Sequence, residues 1–139
     1  MVPVVLHPRR RNWRGFDQAV LLSRCLARLA DLPCREQILV RSKDTAPQIG
    51  LTPTQRRTNM KDAFAVPEPE AVAGESLLLI DDVYTTGSTL NEAAKVLHRA
   101  GAESVWALTI TRAMPSWHPQ VGQQLGDEED LQAADSVDV

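Results

Sequence analysis

Four consecutive apolar residues, Leu77-Leu78-Leu79-Ile80, run directly into Asp81-Asp82, and Val83-Tyr84-Thr85-Thr86-Gly87-Ser88-Thr89 follows. A short, wholly apolar run bounded by turn residues reads as a strand covered on both faces. It delivers two carboxylates to its carboxyl end, where open parallel sheets bind their ligands. The turn beyond offers backbone N–H groups at a helix N-terminus and the hydroxyls of Thr85, Thr86, Ser88 and Thr89, a set suited to a phosphate dianion. The helix dipole adds only about 0.3–1 kcal/mol, so hydrogen bonds must carry most of the binding. Gly87 permits close backbone approach or a positive φ. Two carboxylates beside a phosphate cup are repulsive unless they meet something else: vicinal ribose hydroxyls, which donate, or Mg²⁺. A sugar 5-phosphate satisfies both halves of the motif. The plainer reading is that Asp81 and Asp82 cap a turn and the Thr/Ser cluster is an ordinary loop.

Val2 to Leu6, Gln37 to Arg41, Ala63 to Val66 and Ser104 to Thr111 read as further strands, about five in all. One helix is predicted from an Asp17 N-cap, with Ala19, Leu22, Leu26 and Leu29 as its apolar repeat and Leu32-Pro33 as its stop. A second opens at Thr89-Leu90-Asn91-Glu92, which reads as a capping box. It repeats Leu90, Ala93, Ala94 and Leu97, carries Lys95, His98 and Arg99 in its last turns, and ends at Gly101. This alternation predicts a parallel α/β sheet. Residues 42–62, with Pro47, Gly50 and Pro53 and no clean period, read as a long functional or mobile loop.

The net charge of −3 conceals a gradient: residues 1–62 carry +7, residues 63–126 carry −4 and residues 127–139 carry −6. An anionic partner is therefore sought on the first block, and the last thirteen residues read as a disordered acidic tail. A chain of 139 residues suffices for one domain with a core. Its apolar runs fall far short of the roughly 18–20 residues of a membrane helix, so no membrane insertion is expected, and its opening lacks the layout of a secretory signal. Cys25 and Cys34 are the only cysteines, too few for a four-cysteine zinc site. Two reduced thiols in a cytoplasmic protein is the simpler reading. His7, His98 and His118 form no metal-binding pattern.

The central motif resembles the PRPP-binding signature of type I phosphoribosyltransferases: four apolar residues, two acids, two apolar, then T-T-G-x-T, with Tyr84 where many members are aliphatic. Val4-Val5-Leu6-His7-Pro8-Arg9-Arg10 with Arg14-Gly15-Phe16-Asp17-Gln18 is similar to the ComF/GntX family. So are Leu39-Val40-Arg41, Gln48, Gln55-Arg56-Arg57, Asn59 and Ala63-Phe64. This resemblance implies a Rossmann-like parallel sheet flanked by helices over residues 1–112, with the base-recognising hood reduced or missing. Residues 113–126 would be a hood remnant or irregular. It implies binding of PRPP or ribose 5-phosphate with Mg²⁺, and transfer of 5-phosphoribose to a nucleobase-type acceptor. Asp81 and Asp82 would hold the ribose hydroxyls and take part in holding Mg²⁺. Thr85, Thr86, Gly87, Ser88 and Thr89 would cradle the 5-phosphate. Arg14 and Gly15 would lie on a diphosphate loop, and Arg56 would neutralise the leaving group from the catalytic loop 42–62.

Some ComF members act in DNA uptake as competence proteins, and related folds often pair as homodimers. Members typically carry a further segment before this point, often a cysteine-rich zinc module, so a shortened member or a fragment is expected. A reading from another class keeps the phosphate sites without the chemistry: a protein handling single-stranded DNA, or a PRPP sensor. Arg9, Arg10 and Arg11 would then meet phosphates and Trp13 would stack on a base. A solvated basic loop, with Trp13 on the sheet edge, is the plain alternative.

Overall fold

A computed structural model describes residues 1–43, 45 and 52–113, apart from the side chains of Pro53 and Arg57. The expected hood remnant beyond residue 113, the acidic tail and most of the middle of the 42–62 loop lie outside the described residues. The elements run β1 (Val2–Pro3), α1 (Pro8–Arg14), α2 (Gln18–Ala30), β2 (Val40–Arg41), α3 (Pro53–Met60), β3 (Phe64–Ala65), β4 (Ser76–Tyr84), α4 (Ser88–Arg99) and β5 (Ser104–Arg112), with a single 3-10 turn at Pro69–Ala71. β4 is the centre of a parallel sheet, with β1 on one side (Val2 opposite Leu79) and β5 on the other (Leu77 opposite Val105, Ile80 opposite Leu108). The fold is α/β and Rossmann-like.

Among the described residues the parallel sheet has three strands, not about five. β2 and β3 form a separate antiparallel ladder, Val40 opposite Ala65 and Arg41 opposite Phe64. The reason lies in their connection. The chain leaves β2, makes α3 and returns at β3, so antiparallel pairing closes that excursion at its base.

Two helices sandwich β4. On one face α4 buries Leu90, Ala93 and Leu97 in a core with Leu77, Leu79, Val2, Val4, Met60 and Phe64. Fully burying an aliphatic side chain such as Leu79 contributes about 1.5–3 kcal/mol, so this layer is the main source of cohesion. On the other face Ile80 is buried, and α2 packs over β4 and β1 through Ala19, Val20 and Ala27. No helix among the described residues is long and apolar enough to cross a membrane.

Several local expectations need correction. Asp17 does occupy the N-cap position of α2, but its side chain makes no cap hydrogen bond. Its Oδ2 instead accepts from the Leu6 N–H at 2.7 Å, tying the segment between β1 and α1 to the start of α2. α2 stops at Asp31, in the left-handed region (φ 52°), before Leu32-Pro33 is reached. The Thr89–Glu92 capping box does not form: α4 starts at Ser88, behind Gly87, with no side-chain cap. Glu92 lies on the buried flank and Oε1 accepts from the Asp62 N–H at 2.9 Å. A capping box does exist where none was expected, at Thr52 and Gln55, and it opens α3 inside the supposed loop.

Candidate functional site

β4 is longer than its apolar run. It continues through Asp81, Asp82, Val83 and Tyr84, so both acids are strand residues and alternate between the two faces. Asp81 Oδ1 accepts from the Asp82 N–H at 2.9 Å. Burial pushes the Asp81 carboxyl up from 3.8 to about 7, and the negative charge of Asp82 adds to this. The hydrogen bond from the Asp82 backbone and the positive charge of Arg41 act against it.

Gly87 sits in the left-handed region (φ 71°), which L side chains rarely adopt. A Cβ there would also stand 3.0 Å from the Tyr84 ring. Tyr84 is in turn covered by Arg112, whose guanidinium carbon lies 5.7 Å from the ring centroid. The hydroxyls of Thr86 and Ser88 are 2.8 Å apart. The N-cap of α4 is Gly87, which makes no side-chain cap hydrogen bond. Thr85, Thr86 and Gly87 form the bend, and Ser88 and Thr89 open α4.

The family model described as "Phosphoribosyl transferase domain" matches residues 17–122. The chain belongs to this phosphoribosyl transferase family. Within it, the chain is of the ComF kind. It is 40% identical over 114 residues to Competence protein F of Haemophilus influenzae, covering 81% of this chain and 50% of that protein. It is 40% identical over 106 residues to DNA utilization protein YhgH of Escherichia coli K12, covering 74% and 46%. It is 35% identical over 114 residues to Competence protein ComFC of Bacillus subtilis, covering 81% and 44%. The chain spans about half the length of the curated relatives it matches. No solved structure gives a match.

The family match begins at Asp17, so the arginine-rich segment before it lies outside. That segment is also not the open loop expected for a diphosphate. Arg9, Arg10, Arg11, Trp13 and Arg14 are on α1, with Pro8 at its start and Gly15 (φ 77°) closing it. Pro favours a first helical turn and Gly a left-handed end, so both signals were in the sequence. The Gly15 N–H is spent on the Arg11 carbonyl at 2.9 Å. Arg14 donates to Gln18 Oε1 at 3.0 Å. Arg56 is half-buried on α3, which packs against α4. It is therefore on a helix rather than on a free loop.

Arg41 closes β2 and is held by several contacts. It is buried, stacks 5.6 Å from the Phe64 ring centroid and donates to Thr45 Oγ1 and to Met60 Sδ. Arg10 of α1 donates to the Thr45 carbonyl at 2.8 Å. Thr45 thereby joins two guanidinium groups from separate elements, one within electrostatic reach of Asp81. Tyr84 and Arg112 as a stacked pair had no signal in the sequence, because they meet only through the β4–β5 register, which sets them opposite each other.

Proposed function

We propose that the protein binds PRPP or ribose 5-phosphate, with Mg²⁺, at the carboxyl end of β4, and that it transfers 5-phosphoribose to a nucleobase-type acceptor. One observation carries this reading: the Asp81-Asp82 pair stands directly before an uncapped helix N-terminus entered through a left-handed glycine. The ribose diol would donate to the two carboxylates and the 5-phosphate would take the amides and hydroxyls of Thr85 to Thr89. Mg²⁺ fits two carboxylates plus ligand phosphates, because it is usually held by one or two carboxylates and keeps the rest of its shell from phosphate and water. It would supply charge neutralisation for the diphosphate. In the transfer the bond from C1 of the ribose to diphosphate breaks, a bond to the acceptor nitrogen forms and the acceptor gives up its proton. The protein's part is positioning and charge stabilisation. It would act in the cytoplasm.

Asp81 makes the proposal testable in solution. A carboxyl held near 7 must give up its proton to meet Mg²⁺ or accept two ribose hydroxyls. Calorimetry with Mg²⁺ and PRPP is therefore expected to show binding with proton release near pH 7, revealed by comparing buffers of different ionisation enthalpy. The double variant Asp81→Asn, Asp82→Asn should lose the binding. If wild type binds neither PRPP nor ribose 5-phosphate, the reading is wrong. Diphosphate release over a panel of nucleobases separates an enzyme from a sensor.

A second reading has its own observation. Trp13 is 85% exposed on α1, Phe16 is exposed beside it, and Arg9, Arg11 and Arg14 surround them. An open aromatic among arginines suits a single strand of DNA, and relatives carry the name DNA utilization protein. Affinity for single-stranded DNA should then fall steeply with salt. Asn at positions 81 and 82 should leave it intact, whereas Trp13→Ala should weaken it. A flat salt dependence sinks this second reading.

A further inference from the structure

A cavity of about 390 Å³ is lined by none of the residues from Thr85 to Thr89. Three separate pieces of chain form it: the segment after β1, α1, and residues 36–41. Val5, Leu6 and Leu39 supply apolar lining, and Arg11, Asn12 and Gln37 supply polar lining. Two further charged residues border it, Glu36 and Arg41, and both are engaged. The Glu36 oxygens accept from the Arg24 guanidinium, and Arg41 donates to Thr45 and Met60. The side-chain amides of Asn12 and Gln37, by contrast, hydrogen-bond to no other described residue. The Val4 N–H donates to the Ile80 carbonyl at 2.9 Å, so Val5 and Leu6, which follow, bring the cavity to the same end of the sheet as Asp81 and Asp82.

This lining selects among ligand classes. An anion needs donors alone, yet each amide sets an acceptor beside its donors, and the Glu36 carboxylate is an acceptor only. A sugar would put hydroxyls against Val5, Leu6 and Leu39, where they lose water without gaining partners. A planar heterocycle meets both requirements, with its ring on the aliphatic side chains and its edge on the amides. Ligand cavities span about 300–1,000 Å³, and this one stands at the small end, with room for one base rather than several. Asn and Gln are also the side chains whose amide can donate to a ring nitrogen while accepting from the neighbouring amino group. We propose that the cavity between α1 and residues 36–41 binds one nucleobase, read at its edge by Asn12 and Gln37. The chemistry of the cavity stands without PRPP; only the use of the bound base as an acceptor rests on the transfer proposed above.

The test titrates the full chain with adenine, cytosine and uracil, followed by the NMR signals of their ring protons. Each base is then offered once in an otherwise abasic oligonucleotide. Saturable broadening is expected for at least one base. Asn12→Ala and Gln37→Ala, both at exposed positions, should each weaken it about tenfold, the scale of one lost amide–base pairing. Both should leave the melting temperature and ribose 5-phosphate binding unchanged. Binding of the free base assigns the cavity to a small-molecule base. Binding confined to the oligonucleotide, with the same loss in both variants, assigns it to a base of a single strand; either result supports the site. No binding in either form overturns the inference. So does binding that both variants leave intact and Trp13→Ala abolishes, since the base would then stack on that exposed ring. A chain that binds a base but neither PRPP nor ribose 5-phosphate keeps this site and loses the proposed transfer; the converse result keeps the PRPP site and removes this one.

Discussion

β4 and β5 are parallel neighbours of nine residues each, paired along their length, and similarly apolar in sequence. β4 buries Leu77, Leu79 and Ile80; β5 buries none of its residues. Burial in this fold is thus decided by place in the sheet rather than by composition. The central strand is sandwiched by α2 and α4, whereas among the described residues β5 pairs with β4 alone and packs against α4. The same substitution should therefore have unequal consequences. Leu79→Ala is expected to cost about 2–5 kcal/mol, as for large-to-small changes in a packed core. Ile110→Ala should stay within about 0.5 kcal/mol in the free chain. Urea unfolding of the two variants measures this directly. Equal losses would mean that β5 is covered.

The two strands differ next in what they carry past their apolar runs. β4 runs on into two half-buried acids, Asp81 and Asp82, and β5 into Thr109, Thr111 and Arg112. Because the Asp81 carboxyl is held near 7 in the fold against 3.8 in the open chain, the folded protein binds the extra proton between those values. Its contribution to stability is fully present below about pH 4, declines as pH rises toward 7 and is level above. The limiting slope is about 1.4 kcal/mol per pH unit. Asp81→Asn should flatten this part of the profile and make the free protein more stable than wild type at pH 8. Denaturant titrations at several pH values decide it. A wild-type profile parallel to that of the variant would remove the buried-acid account of the site.

The central motif was legible because strand, acids and turn are contiguous, so local pattern alone places Asp81, Asp82 and Gly87 in one structure. Legibility failed where partners are distant in sequence. Asp17 and Glu92 looked like helix caps, and both hold backbone N–H groups of other segments, Leu6 and Asp62. The α1 helix was missed because seven residues, three of them consecutive arginines, show no apolar period. The antiparallel pairing of β2 with β3 was hidden too, since two-residue strands carry no directional signal.

The turn at Gly87 gives a smaller expected effect. Gly87→Ala places a side chain in the left-handed region and against the Tyr84 ring. The backbone term alone is roughly 1–2 kcal/mol. Thermal unfolding should show the loss, and combining it with Tyr84→Leu should recover only the part due to the ring. Full recovery would mean that φ at position 87 carries no strain.

The smallest effect concerns a place where exposed β5 meets the end of β4. Arg112 lies over the Tyr84 ring, and the ring backs onto Gly87. An exposed cation–π contact is worth about 0.5–1 kcal/mol. Arg112→Ala should therefore lower stability by no more than that, yet loosen the support under the turn at Gly87. Arg112→Lys keeps the charge with a poorer stack and should lie between wild type and Ala. If the stack positions the turn, ribose 5-phosphate affinity should fall in the same order, Arg, Lys, Ala, while urea midpoints barely move. Should affinity follow charge alone, with Lys equal to Arg, the contribution of β5 is long-range attraction for the phosphate, and the turn depends on β4 and α4 only.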